Sequence, residues 1–374
     1  MISQEQRNQC AERLNVAAAR VPELTAFVGL DGFVDEILHV VDKRQSATEF
    51  TRLDQMASLA DRIAAAAGRS TNIELVRQMQ KLGGNGPIMG NALAAFGLRV
   101  TYLGILGWPD IHPVFHEFKA RADVHSIAQP GLTDAYEFHD GKILVGKHES
   151  LKEMTWENIQ ARWSRDAFQQ HFSTASLVGF VNWTMLPHMS QIWEALQQEL
   201  CPGLNGERRK LFVDMADPEK RTNHDIRHAL ELIVNFGQWF DVILGLNEKE
   251  AFEVGKALDL DLPEHTPDGL QSLTRAIYAK VPVQTLVVHP VSYALAISGD
   301  ELVMTPGPVT ATPLITTGAG DHFNSGFCLG KLLGLGNLDS LLTAVTTSGF
   351  YVRTAKSPNV GELASTLADA SIAY

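Results

Sequence analysis

Short apolar runs alternate with longer stretches of helical periodicity through most of the chain. Four apolar runs have the length and the composition of buried strands, and a helical stretch follows each of the first three and precedes the fourth. The runs occupy residues 177–181, 211–214, 242–246 and 285–289, and the helical stretches lie at about 185–200, 222–239, 248–257 and 267–280. This alternation predicts a three-layer α/β/α domain around a mostly parallel sheet, whose ligands bind at the carboxyl ends of the strands.

The first part of the chain follows the same rhythm less regularly. Apolar runs predict strands at residues 24–30 and 99–106, and helical patterns cover residues 3–20, 54–67 and 87–97. Residues 36–51 are mixed and are compatible with a pair of strands. Residues 134–147 contain Asp140-Gly141 between two alternating segments, which is a strong signal for a hairpin turn.

The composition limits the number of domains, the location and the partners of the protein, but it does not indicate a function. The 374 residues suffice for one large α/β domain or two small ones. Every long apolar run is interrupted by charge or glycine before 18 residues, so no membrane span is predicted. The three cysteines form neither a metal-binding nor a disulfide pattern, which favours the cytoplasm. The net charge of −12 argues against a nucleic acid partner.

The strongest chemical signal is the run Gly318-Ala319-Gly320-Asp321, which opens an apolar helical stretch at residues 323–333. A glycine turn before a helix makes an anion-binding site, because unpaired N–H groups and the helix dipole face the ligand. A carboxylate at this point repels a phosphate, but it can accept the proton of a hydroxyl that attacks phosphorus. Asp321 is therefore a candidate general base, although an aspartate in a first helical turn can also simply cap the helix.

The flanking residues Thr316, Thr317, Phe323, Asn324 and Gly326 extend the run into a longer motif. The motif resembles the C-terminal signature of the ribokinase-like (PfkB-type) carbohydrate kinases, Asp-Thr-Thr-Gly-Ala-Gly-Asp-x-Phe, except at its first position, which is Ile315 here.

This resemblance implies one ribokinase-like α/β domain over residues 1–374, with a small β-sheet lid built from about residues 33–51 and 130–148. It also implies transfer of the γ-phosphoryl group of ATP to a hydroxyl of a sugar or a sugar-like molecule, with Mg²⁺ as the metal. Asp321 is then the base, and the amides of residues 318–321 stabilise charge on the transferred group. Thr317 and Asn324 are expected to contact the nucleotide.

Two other segments resemble the sugar-binding parts of the same family. Gly84 and Asn85 begin a glycine-rich loop before an alanine-rich helix, and in the family this loop contacts the sugar. Asp31 and Asp35 follow the first predicted strand, where an acidic residue of the family binds sugar hydroxyls. Asp35 is the better match and Asp31 is the second candidate. Taken alone, each segment also fits an ordinary turn.

A further segment, Asn247-Glu248-Lys249-Glu250, follows a predicted strand and resembles the Asn-x-x-Glu motif of these kinases. By this resemblance, Asn247 lies near the nucleotide and Glu250 orients the water shell of Mg²⁺, which keeps most of its waters in proteins. The same four residues also fit a helix that Asn247 caps and whose first turn is acidic.

The sequence also departs from the family. Residues 288–293 contain no glycine where many members have a glycine-rich nucleotide loop, and Ile88 replaces an asparagine of the N-terminal signature. Three other functions therefore stay open: a nucleoside or vitamin kinase, an ADP-dependent sugar kinase, and a non-catalytic ligand-binding relative. The identity of the acceptor and a homodimer formed through the lid stay open as well.

Overall fold

The computed structural model describes residues 2–374, which form two separate β-sheets and thirteen α-helices. The strands are β1 (Thr25–Gly29), β2 (Phe33–Arg44), β3 (Phe50–Arg52), β4 (Leu75–Gly83), β5 (Arg99–Gly104), β6 (Asp123–Ser126), β7 (Gly131–Phe138), β8 (Gly141–Lys147), β9 (Leu177–Phe180), β10 (Arg209–Asp214), β11 (Phe240–Asn247), β12 (Thr285–His289), β13 (Tyr293–Ser298) and β14 (Glu301–Pro306). The helices are α1 (Gln4–Ala17), α2 (Met56–Ala65), α3 (Asn85–Phe96), α4 (His116–Lys119), α5 (Trp156–Arg162), α6 (Arg165–Thr174), α7 (Met189–Glu199), α8 (Asn223–Phe236), α9 (Glu248–Ala257), α10 (Pro267–Lys280), α11 (Ala319–Leu332), α12 (Asn337–Thr354) and α13 (Val360–Ala368).

The larger sheet has nine strands in the order β14-β13-β12-β11-β10-β9-β1-β5-β6. Seven neighbouring strands of this sheet run parallel to one another: β12, β11, β10, β9, β1, β5 and β6. Strands β13 and β14 add an antiparallel hairpin at the edge next to β12. One apolar core packs α5 to α10 against the sheet, and another packs α1, α3 and α11 to α13. The prediction of a three-layer α/β/α domain is therefore confirmed.

The smaller sheet has five strands, with β2 at its centre between the antiparallel β4 and the parallel β7. Strands β7 and β8 form the hairpin that Asp140-Gly141 predicts, with Phe138 opposite Gly141. Strand β4 was not predicted, because Arg77, Gln78 and Gln80 break any alternation of polar and apolar residues. These three side chains are exposed, so β4 lacks the apolar face that marks a strand in a sequence.

Helix α11 carries the Gly318–Asp321 segment at its N-terminus and is held in place by α12. Gly326 and Gly330 face α12, and a β-carbon at Gly326 would lie 2.5 Å from the Thr347 hydroxyl. At Gly330 it would lie 2.7 Å from the Ser340 α-carbon. Two glycines one turn apart thus let the helices approach closely, which fixes the position of the turn before α11.

No helix within residues 2–374 combines the length and the apolar character that crossing a bilayer requires.

Candidate active site

The turn before α11 has the geometry of an anion site. Gly318 adopts a left-handed conformation (φ 91°, ψ 0°) that a glycine accepts without strain, and Ala319 begins the helix. The amides of Gly320 and Asp321 belong to the first turn, where no earlier turn of the helix supplies a carbonyl partner. The Ala319 amide, in contrast, donates to the Thr316 carbonyl at 3.1 Å. The expectation that all four amides face an anion is therefore wrong for Ala319.

Asp321 lies in this first turn, and its side chain is buried. Its Oδ1 accepts a hydrogen bond from Asn85 Nδ2 at 3.0 Å. Asn85 opens α3, so the predicted sugar-binding loop and the predicted base come into direct contact across 236 residues of sequence. A single neutral donor leaves the remaining acceptor capacity of the carboxylate for a substrate hydroxyl.

Asp31 organises the N-terminus of α3. Its carboxylate accepts the amides of Asn85 and Gly86, both at 2.9 Å, and the side-chain amide of Asn182 at 2.7 Å. The Tyr102 hydroxyl donates to the Asp31 carbonyl at 2.7 Å. Because Asp31 has no exposed surface, the structure contradicts its prediction as a direct sugar ligand and gives it a positioning role. Sequence reasoning named neither Asn182 nor Tyr102.

Two cavities open at the carboxyl ends of the parallel strands, one on each side of the turn before α11. The smaller one has a volume of about 410 Å³, and Asp35, Gly84, Asn85 and Thr317 are among its lining residues. The larger one, of about 1020 Å³, reaches Gly320 and Thr316. Asn247 lines both cavities, so the turn and β11 mark the boundary between them.

Asp35 stands in a polar row across the smaller sheet. In the strand register it lies opposite Lys81 of β4 and Thr133 of β7, and all three line the smaller cavity. A β-carbon at Gly83 would come within 2.6 Å of the Asp35 carboxylate, so only glycine leaves room for this side chain. Burial raises the pKa of Asp35, while Lys81 and a hydrogen bond with Thr133 oppose the shift.

The larger cavity has apolar walls where the family has a glycine-rich loop. Pro290, Val291 and Tyr293 line it, and the ring of His289 packs at a tilt of 32° against Phe323 with centroids 4.5 Å apart. Burial lowers the pKa of His289 to about 4, so its imidazole is neutral. A large cavity is therefore present beside the turn, although residues 288–293 lack the glycines found at this point in the family.

The two residues predicted to contact the nucleotide lie in different surroundings. Thr317 lines the smaller cavity, whereas its neighbour Thr316 lines the larger one. Asn324 points into the protein interior, where its Nδ2 donates to Asp214 Oδ2 at 2.7 Å, and it is 1% exposed. Asn324 lies on the same face of α11 as Asp321 but nearly one turn further along the helix, beside the large sheet, and it lines neither cavity.

Asn247 and Glu250 form a reciprocal cap at the start of α9. Asn247 Oδ1 accepts the Glu250 amide at 2.9 Å, and Glu250 Oε2 accepts the Asn247 amide at 2.8 Å. Asn359 and Glu362 make the same arrangement at α13, where Glu362 is exposed. The motif alone therefore describes a helix cap, and Glu250 is distinguished by its burial beside the smaller cavity and by a further hydrogen bond from the Asp217 amide at 3.0 Å.

Four carboxylates are buried around the turn: Asp31, Asp214, Glu250 and Asp321 are 0%, 5%, 4% and 7% exposed. None of them forms an ion pair within the part of the chain that the structure describes. Burial raises the pKa of Asp31 to about 6 and of Asp214 to about 6. Burial, followed by repulsion from Asp214, raises the pKa of Glu250 to about 8 and that of Asp321 well above its usual range. Sequence reasoning did not identify Asp214, although it ends a predicted strand.

These raised values predict how the stability of the ligand-free protein depends on pH. Between about pH 4 and pH 8 these carboxylates bind more protons in the folded state than in the unfolded state, so their contribution to the free energy of unfolding falls as pH rises. The buried neutral His289 and His322 act in the opposite sense below about pH 6.5. A net fall on the order of 2–4 kcal/mol is therefore expected between about pH 6.5 and pH 8, since one pKa unit corresponds to about 1.4 kcal/mol. Chemical denaturation across this range measures it.

Replacement of Asp214 by asparagine supplies the control for this titration. Asp214→Asn removes one of the titrating groups, so its unfolding free energy should decline less steeply with pH than that of the wild type. The contribution of the histidines cancels in this comparison, so equal pH slopes in Asp214→Asn and the wild type from about pH 5 to pH 8 would contradict the buried, unpaired state of Asp214.

A buried carboxylate at an amide turn, set between two cavities at the ends of parallel strands, defines the class of the ribokinase-like carbohydrate kinases. The family model of the prokaryotic ketohexokinases matches residues 3–370, and the chain belongs to that family. It is an ATP-dependent sugar kinase, a phosphotransferase with an alcohol acceptor, which confirms the predicted class of enzyme.

Individual relatives resemble the chain in sequence or in fold. A ketohexokinase of Haloferax volcanii is 26% identical over 358 residues, which are 95% of this chain and 93% of the relative. The fold resembles Arabidopsis thaliana ribokinase complexed with ribose and ATP (TM-score 0.64, 16% identity, 92% and 98% of the two chains). It also resembles phosphofructokinase-2 from Escherichia coli (TM-score 0.61, 10% identity, 92% and 98% of the two chains).

Proposed function

We propose that the protein transfers the γ-phosphoryl group of ATP to a hydroxyl of a ketohexose, with Asp321 as the general base. The observation that carries this proposal is the position of the turn before α11, which separates the two cavities with amides and a carboxylate at their boundary. The name of the family and of the Haloferax volcanii relative supports a ketohexose as the acceptor.

In this proposal the smaller cavity holds the acceptor and the larger cavity holds the nucleotide. Asp35, Lys81 and Thr133 offer one acceptor-only group, one cation and one hydroxyl, which suits the vicinal hydroxyls of a sugar. Asp321 takes the proton of the attacking hydroxyl, and the side-chain amide of Asn85 holds the Asp321 carboxylate in place. The amides of Gly318, Gly320 and Asp321 stabilise charge on the transferred group. Closure of the smaller sheet over the acceptor excludes water.

Asn247 and Glu250 are the proposed residues for Mg²⁺. Both offer hard oxygen atoms beside the smaller cavity, and the Glu250 carboxylate has no cationic partner, which fits a divalent cation. No group of three or more potential ligands lies close enough to hold a metal within residues 2–374, so contact through water is proposed. When bound, Mg²⁺ would neutralise charge on the donor phosphates.

Replacement of Glu250 by glutamine is expected to raise the Mg²⁺ concentration that gives the half-maximal rate by about 3- to 30-fold, because a carboxylate beside the metal shell is lost. The KM for the acceptor should change less than twofold. A Mg²⁺ titration of the rate at saturating acceptor measures both effects.

Glu362→Gln is the matched control, since Glu362 closes the same kind of helix cap at the exposed start of α13. Its Mg²⁺ dependence should equal that of the wild type. If Glu250→Gln and Glu362→Gln give the same Mg²⁺ curve, Glu250 is only a helix cap.

The acceptor itself is tested by steady-state kinetics. Purified protein is assayed with Mg·ATP, and in parallel with Mg·ADP, against ketohexoses, aldohexoses, pentoses and nucleosides. A ketohexose should give the highest kcat/KM, and ATP should be the better donor. A nucleoside or an aldohexose as the best acceptor would refute the substrate assignment.

The assembly and location of the enzyme are also proposals. Leu144 and Met79 are exposed on the face of the smaller sheet that carries Asp35, with Leu144 at 68%, so we propose that a second copy of the chain covers this face. Three buried free cysteines and the use of ATP support a location in the cytoplasm.

A further inference from the structure

Three side chains hold the outer face of the turn before α11, and none of them lines either cavity. They are His322, Tyr351 and Ser357, here called the carbonyl clamp. The Tyr351 hydroxyl donates to the Thr317 carbonyl at 3.0 Å. His322 Nδ1 lies 2.8 Å from the Gly318 carbonyl, and its Nε2 lies 2.8 Å from the Ser357 hydroxyl.

The chemistry of these groups fixes the direction of each hydrogen bond. A carbonyl oxygen can only accept, so Nδ1 of His322 carries the proton and donates it to Gly318. Burial lowers the pKa of His322 to about 4, so Nε2 is unprotonated and accepts from Ser357. Burial raises the pKa of Tyr351 to about 12, so its hydroxyl keeps its proton. The clamp is therefore a set of neutral donors with a single possible arrangement.

The two rings are also locked against each other. The imidazole of His322 stacks on the Tyr351 ring with centroids 3.6 Å apart and planes 12° apart. Since Tyr351 belongs to α12 and His322 to α11, the stack ties the turn to the neighbouring helix. A β-carbon at Gly318 would lie 3.3 Å from the Tyr351 hydroxyl, which is tighter than ordinary contact, so the hydroxyl lies directly against the backbone of the turn.

Because a peptide group is planar, a hydrogen bond that holds its carbonyl also fixes the orientation of its amide. The Thr317 carbonyl and the Gly318 amide belong to one trans peptide group, so they point in opposite directions. Tyr351, which holds the Thr317 carbonyl, therefore turns the Gly318 amide toward the opposite side of the turn. His322 holds the carbonyl of the next peptide group, whose amide belongs to Ala319 and donates to Thr316, so the peptide groups on both sides of Gly318 are fixed. Hydrogen bonding at the carbonyl also polarises the peptide group, which makes its N–H a stronger donor.

We propose that the carbonyl clamp positions the Gly318 amide for the phosphoryl group during transfer, so that His322, Tyr351 and Ser357 act on the reaction without touching a substrate. This inference rests on the proposed function, in which the Gly318 amide contacts the transferred group. Glycine at this position allows the amide to turn freely, and the clamp supplies the constraint that the residue itself lacks.

Tyr351→Phe tests the clamp, because it deletes only the hydroxyl and keeps the ring that stacks on His322. Its kcat should fall about 3- to 10-fold, the worth of one hydrogen bond, while the acceptor KM and the dissociation constant of ATP change less than twofold. Tyr278→Phe is the matched control, since its hydroxyl accepts the Gly299 amide at 2.7 Å, remote from the turn. The control should keep the wild-type kcat, and melting temperatures of both variants show whether either one is misfolded.

A second pair of variants tests His322. His322→Phe keeps an aromatic ring against Tyr351 but removes both hydrogen bonds, and kcat should fall about 10- to 100-fold. His322→Gln retains an amide that can donate to the Gly318 carbonyl, so it should recover part of this loss. Equal losses in the two variants would refute the proposal, and a wild-type kcat in Tyr351→Phe would refute it even if the His322 variants fail to fold.

Failure of the clamp and failure of the proposed function give different results. All variants are assayed on the best acceptor of the wild type, so an acceptor other than a ketohexose refutes only the substrate assignment. If Asp321→Asn abolishes turnover while Tyr351→Phe matches Tyr278→Phe, the proposed chemistry stands and the clamp is merely a packing contact.

Discussion

Replacement of Asp321 by asparagine is expected to lower kcat by about 10²- to 10⁴-fold, the usual contribution of a positioned general base. Asparagine has nearly the same shape, and its oxygen can still accept from Asn85, so the turn should keep its structure. The affinity for ATP should hold or increase slightly, because a negative charge beside the phosphates is lost. Steady-state kinetics and equilibrium binding of ATP measure the two effects.

Asp339→Asn is the matched control for this variant. Asp339 is also a buried aspartate in the first turn of a helix, α12, but it pairs with Arg13 on the far side of the helix layer. Its replacement should cost stability and leave kcat unchanged. Near wild-type turnover in Asp321→Asn would exclude Asp321 as the base.

The wild type should also show the environment of Asp321 in its pH profile. Burial, together with repulsion from Asp214 and Asp31, raises the pKa of Asp321 well above its usual range. A base must be unprotonated to act, so kcat/KM should fall as pH decreases through this raised pKa. The apparent pKa of the acidic limb is then expected above the pKa range of an ordinary carboxyl group. If the residual activity of Asp321→Asn lacks this limb, the limb reports the titration of Asp321.

Replacement of Asp35 by alanine is expected to cost on the order of 2–4 kcal/mol in kcat/KM for the acceptor, as for the loss of charge-assisted hydrogen bonds. The removed carboxylate leaves substrate hydroxyls and Lys81 without their partner in a half-buried row. The KM for ATP should stay nearly constant, because the larger cavity does not include Asp35. Kinetics with the acceptor varied at saturating ATP tests this.

Asp134→Ala provides the comparison within the same sheet. Asp134 follows Thr133 on β7, so its side chain points to the opposite face, where it pairs with Lys147 at 2.9 Å. Its removal should leave the acceptor KM unchanged. If Asp35→Ala changes only the melting temperature, the acceptor site lies elsewhere in the smaller cavity.

The secondary-structure elements with strong local signals could be predicted from the sequence. The large-sheet strands before helices, the Asp140-Gly141 hairpin and the helix after Gly318 could be predicted, because periodicity and turn chemistry are local properties. Strand β4 could not, since a polar segment becomes a strand only through its neighbours. The hairpin of β13 and β14 was missed although Gly299-Asp300 between two six-residue segments is itself a local turn signal.

For the candidate site as well, residues within local motifs could be predicted, and features that depend on tertiary packing could not. Gly318, Asp321 and Asn85 were found through motifs, but the contact between Asn85 and Asp321 depends on how α3 and α11 pack. Asp31 and Asn324 match motif positions, and only their burial shows that they serve the interior. Asp214 has no motif of its own, and its proximity to the other carboxylates arises from the order of the strands.

The separation of the two sheets has a consequence for how this enzyme can evolve. The Asp35 row belongs to the five-stranded sheet, whereas the turn before α11 belongs to the layers around the nine-stranded sheet. Substitutions in the row change a cavity wall without repacking either large core, so new substrate preferences can be sampled at little cost in stability. The residues of α11 that we propose for the transfer step have no such freedom, because α11 packs between α3 and α12.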